Sequence, residues 1–468
     1  MFYAILFFLL RLPSLFEPYW YGDEGIYLTI GQALRHGLLL FQQIHDNKPP
    51  TLYYLAALAH TVFGFRLLLF LVMIPTVYVF YLLSKKILVS RLSFQLSTLL
   101  FLILTSIPLF EGNIANAEVF MLLPTILAVY IFYKYSSVSS LPAKALASAG
   151  LLLGLAFTIK VPVAIEFAFL CLWLLIFYKS KLKNLFIFSF SFLVPITLYL
   201  IYFALKGALQ PFLFAALLQN FGYLSSWSTG NQQASVASGG LINRGIVLLI
   251  LWLISFLLFH FKKISKHLFF LSAWFFAALF GALLSGRPYP HYLIQVLPPL
   301  CLLLFFFLKS KLWVLFVFSL FIVSLFRYKF YFYPVLPYYL NFYSYALGKK
   351  NTDNYRQYFG YDVSQNYLLA SKIKSLTSPS DKIYVWGDQS YLFPLSDRLP
   401  ATKYLVSYHV VDFRAHDLTI SQLKLNIPKL IIYYPQPSRP FPQLDDFIAN
   451  YYVLIDQIGS AYLFKFRD

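Results

Sequence analysis

Residues 185–205 read LFIFSFSFLVPITLYLIYFAL, an uninterrupted apolar stretch without one charged side chain. A bilayer core is about 30 Å thick, so a helix needs roughly 20 apolar residues to cross it. Further apolar stretches of similar length occur at 92–110, 245–261 and 292–308. The sequence therefore predicts a mainly α, polytopic helical membrane protein.

The composition of the 468-residue chain agrees with a membrane protein, because it is 60% hydrophobic and only 12% charged. Soluble globular chains carry about 25% charged residues. The net charge of +19 lies mainly in short loops before residue 340, where it sets topology and does not form a nucleic-acid-binding patch. Cys171 and Cys301 lie inside apolar stretches and indicate neither a disulfide framework nor a metal site.

Basic residues mark the cytoplasmic loops, and each pair of successive basic clusters leaves room for two spans. The clusters are Lys85/Lys86/Arg91, Lys134/Lys144, Lys179/Lys181/Lys183, Lys262/Lys263/Lys266 and Lys309/Lys311. The stretch 51–64 is too short to span, so we expect a helix in the outer interface. We predict roughly eleven spans, with the N-terminus cytoplasmic and the C-terminus outside. They lie at about 1–16, 66–84, 92–110, 118–133, 145–159, 161–178, 185–205, 244–261, 268–285, 291–308 and 312–326. The first span, at 1–16, is short, and a true start upstream would explain its length.

Seven carboxylates occur before residue 341, and six of them lie in the two predicted outer loops, 17–65 and 111–118. These six are Glu17, Asp23, Glu24, Asp46, Glu111 and Glu118, whereas Glu166 lies within the membrane. Acidic residues contribute little to topology, so their clustering needs another cause. A reaction centre at the outer face is one such cause.

Residues 341–468 differ from the rest, and we predict a small C-terminal α/β extracytoplasmic domain after a transmembrane domain at 1–340. The β-rich runs are 382–386, 403–408, 430–434, 451–455 and 461–466, and residues 363–376 have helical spacing. The stretch 328–345 is dense in Tyr and Phe. It fits an interfacial aromatic belt or, alternatively, a site for a polyprenyl tail.

The first outer loop contains YWYGDEGIYLTIGQALRHG at 19–37. Asp23 and Glu24 precede a short amphipathic helix for which Gly37 is a plausible stop. Asp23 fits two roles, an N-cap of this helix or a general base at the membrane boundary. Adjacent side chains point in different directions, so one acid can anchor the loop while the other meets a substrate.

Cations accompany these acids in the outer loops. Lys48 precedes Pro49 and Pro50, which open the second interfacial helix, and the helix N-terminus with Lys48 would form an anion site. The alternative is that Lys48 snorkels to lipid headgroups. We favour phosphate binding.

The other outer turns add an acid and more cations. Glu118 begins a span, where a carboxylate is costly without a task or a partner. Lys160 lies in TIKVP at an outer turn and would suit a lipid phosphate, and Arg287, His291 and Tyr292 lie in GRPYPHYLIQVLPP at another. His291 equally fits a simple interface residue. Together these groups suit a transfer with a phosphate leaving group, which needs a base for the acceptor hydroxyl and cations for the leaving anion.

These residues resemble, in order and spacing, the GT-C glycosyltransferases that use polyprenyl-phosphate sugars. The nearest groups are the protein O-mannosyltransferases, the lipid A aminoarabinose transferase and the bacterial dolichyl-phosphate-mannose-protein mannosyltransferase-like proteins. The resemblance covers about residues 5–305. The matching residues are Arg11, Asp23-Glu24 with Tyr27, Lys48-Pro49-Pro50 with Tyr53/Tyr54, Phe63-Gly64, Asn116/Glu118, Lys160, and His291-Tyr292 with Pro298-Pro299.

The resemblance implies a metal-independent, inverting transfer at the outer face, from a polyprenyl-phosphate sugar to a hydroxyl on a lipid, glycan or protein. It implies that Asp23 is the catalytic base and that Glu24 assists or is structural. Many relatives have Asp where this chain has Glu118, which we include with the catalytic acids. The residues implied for the donor phosphate are Lys48, Lys160, Arg287, His291 and Tyr292. No cofactor is expected, and a divalent metal is possible but not implied. The C-terminal domain would cap the site or shape the choice of acceptor.

Two other functions fit less well. A transporter or flippase of lipid-linked glycans would often show internal repeats and helices broken at the midplane, and the sequence shows neither. A membrane-anchored binding or sensor protein would leave the acid-rich first loop unexplained. We therefore expect a multi-pass glycosyltransferase of the cytoplasmic (inner) membrane, whose sugar remains open among mannose, aminoarabinose, galacturonate and others.

Overall fold

The computed structural model of the chain describes residues 2–135, 141–220, 238–306 and 311–467. These residues are mostly helical, and the prediction of a mainly helical fold with a small C-terminal sheet is confirmed. Within these described ranges, five helices are long and apolar enough to cross a membrane, and each falls on a predicted span. They are Val62–Ile87, Ala117–Lys134, Lys181–Leu205, Gly240–His260 and Lys266–Leu283.

Shorter apolar helices occupy the other predicted spans. They are Phe2–Phe16, Arg91–Leu104, Ala143–Phe157, Val163–Phe177, Pro290–Leu304 and Lys311–Arg327. The number of spans and their orientation stay predictions. Lys309 and the end of the span predicted at 291–308 lie outside the described residues. A nine-residue helix, Thr51–Ala59, forms where we predict an interfacial helix, and its length is too short to cross a bilayer.

The chain divides into two compact units. The first comprises residues 1–12, 68–207 and 216–335. Its helices pack closely where small residues allow it, since a Cβ on Gly154 would lie 2.2 Å from the carbonyl oxygen of Phe192. The helices that lie largely in this unit are Phe2–Arg11, Val62–Ile87, Arg91–Leu104, Ala117–Phe120, Leu122–Lys134, Ala143–Phe157, Val163–Phe177, Lys181–Leu205, Ser238–His260, Lys266–Leu283, Leu297–Leu304 and Lys311–Arg327, with 3₁₀ turns at Pro108–Phe110 and Pro290–Val296.

The second unit comprises residues 13–67, 208–215 and 336–468. It joins the predicted first outer loop to the C-terminal part of the chain. The predicted helix at 363–376 is confirmed with these bounds. The helices of this unit are Gly22–Arg35, Thr51–Ala59, Leu209–Leu213, Val335–Ala346, Thr352–Gln357, Val363–Leu376, Leu392–Ser396, Ser407–Asp412, His416–Leu425 and Pro442–Tyr451.

A five-stranded mixed sheet lies in the C-terminal part, in the order β2-β1-β3-β5-β4. The strands are β1 (Lys382–Trp386), β2 (Leu399–Pro400), β3 (Leu430–Tyr433), β4 (Tyr452–Ile458) and β5 (Ala461–Phe466). β1 is parallel to β2 and β3, whereas β5 is antiparallel to β3 and β4. Trp386, Ile431 and Leu444 belong to the apolar core beside the sheet. The runs predicted at 382–386 and 461–466 are strands with these bounds. Those predicted at 430–434 and 451–455 form the strands Leu430–Tyr433 and Tyr452–Ile458, and Tyr451 ends the helix before β4.

The strand predicted at 403–408 is wrong. Residues 403–406 are irregular, and Ser407 begins the helix Ser407–Asp412. The carbonyl oxygen of Lys403 accepts a hydrogen bond from the backbone N–H of His45 (3.1 Å), and the ring of Tyr404 packs on the His45 ring at 5.1 Å. A contact with the first loop thus replaces pairing in the sheet, which a local pattern does not reveal.

The helix Gly22–Arg35 lies directly against the C-terminal part within this unit. A Cβ on Gly25 would lie 2.8 Å from both Oγ of Ser390 and the backbone nitrogen of Tyr391. The hydroxyl of Thr29 donates to the Ser390 carbonyl oxygen (2.8 Å), and the Gln32 side chain donates to Asp397 at 3.1 Å. Residues after 340 therefore pack with residues 13–67, and the domain boundary at 340 stays a prediction.

Candidate active site

The first candidate cluster starts in the helix Gly22–Arg35. This helix begins before the predicted point, so Asp23 and Glu24 form part of its first turn and Tyr21 is its N-cap residue. The interpretation of Asp23 as an N-cap is therefore wrong. The helix ends at Arg35, and Gly37 follows with a φ of +82°, a conformation that suits glycine beyond a helix end.

Glu24 is buried and paired with a cation. Its Oε2 accepts a hydrogen bond from Nη2 of Arg66 at 2.6 Å, and its Oε1 contacts Nε of the same side chain. Nη1 of Arg66 also lies 3.0 Å from Oε1 of Glu17. Glu17 accepts further hydrogen bonds from Tyr338 (2.6 Å) and Trp20 (2.8 Å). Buried charges persist only with such pairing, so Glu24 anchors the loop.

Asp23 differs from its neighbour because its side chain is 31% exposed. Its Oδ2 accepts a hydrogen bond from the hydroxyl of Tyr27 at 2.9 Å and lies 3.3 Å from Nζ of Lys48. Nζ of Lys48 also lies 4.8 Å from the centre of the Tyr27 ring, within cation–π range. Adjacent helical residues point about 100° apart, so one acid faces the interior while the other stays accessible.

Asp46 and Tyr53 also contact Lys48. Oδ2 of the buried Asp46 accepts a hydrogen bond from the Tyr53 hydroxyl at 2.7 Å and lies 3.9 Å from Nζ of Lys48. The same hydroxyl accepts a hydrogen bond from the backbone N–H of Lys48 at 3.1 Å. Burial and the Asp46 charge raise the pKa of Tyr53 well above 10, so this hydroxyl keeps its proton. The helix begins at Thr51, directly after the Lys48-Pro49-Pro50 motif.

A second cluster lies in the first unit and contains four of the predicted site residues. Nζ of Lys160 pairs with Oε1 of Glu118 at 2.5 Å and lies 4.9 Å from the centre of the Tyr292 ring. Nδ1 of His291 contacts Oε2 of Glu111, and its Nε2 lies 3.9 Å from Glu118. Glu118 therefore has the cationic partner that its burial requires.

The second predicted loop is fixed around this cluster. Asn116 donates to Oε2 of Glu111 at 3.3 Å, and the guanidinium of Arg11 donates to the carbonyl oxygen of Gly112 at 3.1 Å. Burial and the nearby Glu111 charge raise the pKa of Tyr331 and Tyr333, so these hydroxyls stay protonated.

Arg287 lies in the turn before His291, and its backbone N–H donates to Oγ of Ser285 at 3.3 Å. Within the described ranges, no group of three or more His, Cys, Asp or Glu side chains could hold a metal ion. The expectation that no cofactor is needed stays a prediction.

Several residues of these clusters were not predicted from sequence. Arg66 had a signal, because a lone arginine in an apolar helix needs a partner. Asp46 was noted only as an outer-loop acid, and Tyr53 only within the motif that follows Lys48. The partnership of Glu111 with His291 joins residues far apart in the chain, and no local pattern reveals it.

Comparisons with known proteins agree with this architecture. The family model for dolichyl-phosphate-mannose-protein mannosyltransferase matches residues 46–209. The crystal structure of ArnT from Cupriavidus metallidurans bound to undecaprenyl phosphate matches with a TM-score of 0.61 and 11% identity, over 99% of this chain and 97% of that chain. ArnT from the same organism in the apo state gives a TM-score of 0.48 and 12% identity, over 98% and 96%. No curated protein matches the chain.

The chain thus shares the fold of ArnT. Part of the sequence also matches the protein mannosyltransferase family. The predicted resemblance to GT-C glycosyltransferases of the protein O-mannosyltransferase and aminoarabinose transferase-like group is confirmed.

Proposed function

We propose that this protein is a membrane glycosyltransferase that moves a sugar from a polyprenyl-phosphate donor to an acceptor hydroxyl at the outer membrane face. The proposal rests mainly on the different environments of two adjacent acids. Glu24 is buried on Arg66, whereas Asp23 is partly exposed and lies beside Lys48. Two comparisons support the proposal. Part of the sequence matches the mannosyltransferase family model, and the chain shares the fold of ArnT, whose crystal structure was determined with bound undecaprenyl phosphate.

The proposed reaction is a single inverting displacement. The acceptor hydroxyl oxygen attacks the anomeric carbon of the sugar while its proton passes to the Asp23 carboxylate, which acts as general base. The bond between the anomeric carbon and the phosphate oxygen breaks, and its electron pair leaves with the polyprenyl phosphate. A nearby cation stabilises the charge that develops on this leaving group.

Lys48 couples donor binding to the release of the base. Its ammonium lies 3.3 Å from Asp23 and 3.9 Å from Asp46. When the donor arrives, the ammonium exchanges Asp23 for a phosphate oxygen, and Asp46 keeps it in place. Asp23 loses a cation that would otherwise compete for its lone pairs and becomes able to accept the proton.

The second cluster supplies further donor contacts in this proposal. Lys160, His291, Tyr292 and Arg287 would recognise the sugar phosphate. Glu118, which pairs with Lys160 at 2.5 Å, would orient that ammonium rather than take part in proton transfer. The proposed location is the inner membrane, with roughly eleven spans, a cytoplasmic N-terminus and the C-terminal part outside.

The test uses purified protein in lipid nanodiscs with undecaprenyl-phosphate-linked mannose, aminoarabinose and galacturonate. A cell-envelope extract serves as acceptor, and released undecaprenyl phosphate is the common product. Mass spectra of envelope lipids and glycans from cells with and without the gene identify the sugar and the acceptor. Unchanged spectra together with no product from any donor would contradict the proposal, and donor translocation without transfer would favour a transporter.

A further inference from the structure

His45 of the first loop is buried in a group of aromatic rings from the C-terminal part, within the second unit. Its ring centre lies 5.1 Å from that of Tyr404, 5.0 Å from that of Phe413 and 5.8 Å from that of His409. Tyr404 and Phe413 stack on each other at 5.5 Å. We call Tyr404, His409 and Phe413 the His45 cage. Only 2% of the His45 surface is exposed.

The backbone of the same segment is also held. The N–H of His45 donates to the carbonyl oxygen of Lys403 at 3.1 Å. On its N-terminal side, a tight turn joins the N–H of Phe41 to the carbonyl oxygen of Ile44 at 2.7 Å, with Phe41 in the left-handed region (φ +67°). Residue 45 is therefore fixed by its ring, by its N–H and by the preceding turn.

Asp46 and Lys48 follow His45 so closely that its position determines theirs. Each residue extends the chain by at most about 3.6 Å. A large shift of His45 would therefore also move Lys48, which follows it by three residues. Asp46 has its own contact with the cage, because Nε2 of His409 lies 3.8 Å from its Oδ1. Tyr53 then links Asp46 to the backbone N–H of Lys48.

We propose that the His45 cage is a positioning element for the donor phosphate. The cage fixes His45, the segment 45–48 transmits that position, and the ammonium of Lys48 is thereby placed for the phosphate oxygen. This inference rests on the proposed function, in which Lys48 binds the donor phosphate. It assigns the C-terminal part a role on the donor side of the reaction, in addition to any effect on the acceptor.

The test compares variants that remove an aromatic ring from this group with one that keeps a ring at position 45. In the full chain in nanodiscs, His45→Ala and Phe413→Ala should raise the KM for the donor about tenfold while kcat and the acceptor KM change less than twofold. His45→Phe keeps a ring in the cage and should stay within threefold of wild type. The matched control is His416→Ala, a histidine of the same domain whose ring packs on Phe441 at 4.7 Å.

A second readout does not depend on transfer. Hydrogen–deuterium exchange over residues 42–50 should rise in His45→Ala and stay at the wild-type level in His45→Phe. If His45→Ala does not accumulate, Phe413→Leu makes a smaller change and serves in its place. A folded cage variant with an unchanged donor KM, or with a changed acceptor KM alone, would overturn the inference.

The Lys48→Ala variant separates this inference from the proposed function. If Lys48→Ala weakens binding of undecaprenyl phosphate but the cage variants do not, the cage has no positioning role and the proposed function stands. If Lys48→Ala leaves that binding unchanged, the assignment of Lys48 to the phosphate fails, and the inference fails with it.

Discussion

Nζ of Lys48 lies 3.3 Å from Oδ2 of Asp23, the oxygen that also accepts the hydrogen bond of Tyr27. The proposed base is thus held by a cation and a phenol. Such contacts orient the carboxylate, and in the proposed reaction Lys48 leaves Asp23 for the donor phosphate. The proposed order of events, with donor binding before proton transfer, rests on this pair.

Replacing the proposed base should stop the chemistry without unfolding the protein. Asp23→Asn keeps the shape of the side chain and its contact with Tyr27 but cannot accept a proton at neutral pH. We expect transfer to fall by about 10²–10⁴-fold, the range that general bases contribute. Initial rates of undecaprenyl phosphate release measure the loss. Asp353→Asn, at an exposed acid of the same unit, is the control, and near-normal activity of Asp23→Asn would rule out its role as base.

Removing the ammonium of Lys48 should weaken donor binding. In Lys48→Ala the phosphate loses its charge-assisted contact, so the affinity for undecaprenyl phosphate should fall by about 10-fold or more. Titration of the protein in nanodiscs with undecaprenyl phosphate measures the affinity. Lys424→Ala, at an exposed lysine of the same unit, should bind as the wild type does. Equal affinities in the two variants would argue against a phosphate site at Lys48.

Arg66 should be needed for folding more than for chemistry. Arg66→Met leaves Glu17 and Glu24 buried without their cation, which typically costs about 3–5 kcal/mol. We expect a large loss of folded protein in thermal unfolding followed by gel filtration. Glu24→Gln should be milder, because the amide still accepts a hydrogen bond from Arg66. If Glu24→Gln folds normally but lacks all activity, Glu24 acts in the chemistry and is not merely an anchor.

Acid should destabilise the second unit through His409. Burial lowers the pKa of His409, and the charge of Asp46 only partly opposes this. Below about pH 6.5 the unfolded chain therefore binds a proton at this histidine that the folded chain does not bind. The free energy of unfolding falls as the pH drops below that value, by up to about 1.4 kcal/mol per pH unit. Unfolding midpoints between pH 5 and 8 should show a flatter acid limb in His409→Phe.

The proposed orientation makes a labelling prediction. With Cys171 and Cys301 replaced by alanine, single cysteines at Lys86 and Lys374 should react from opposite sides of the membrane. An impermeant maleimide added to intact cells should label position 374 and not position 86, since only the latter lies in a predicted cytoplasmic loop. Labelling of both positions from the same side would overturn the topology.

The sequence predicts best what depends on neighbouring residues. Apolar length is a local property, so the stretch 185–205 predicts the helix Lys181–Leu205 closely. Helical spacing likewise predicts Val363–Leu376 with its bounds. The strand predicted at 403–408 fails because a contact with His45, more than 350 residues earlier in the chain, decides that conformation.

In the candidate site, too, the sequence predicts local features better than contacts between distant residues. The motifs with Asp23, Lys48 and Lys160 are visible in the sequence because their residue types and spacing fit a phosphate transfer. The sequence left open which of two adjacent acids is accessible, and the position of Arg66 decides that question. The pairing of Glu118 with Lys160, which lies in the turn between the helices Ala143–Phe157 and Val163–Phe177, likewise arises only when the chain folds.

The packing of residues 13–67 with residues 336–468 in one compact unit bears on how the protein is made. The ribosome releases Asp23 and Lys48 long before it adds Tyr404 and Phe413. During most of translation the nascent chain carries its reactive loop without the rings that secure it. The contacts around His45 form only after residues 403–413 have been synthesised, so a chain that stops before residue 403 should lack the proposed donor binding.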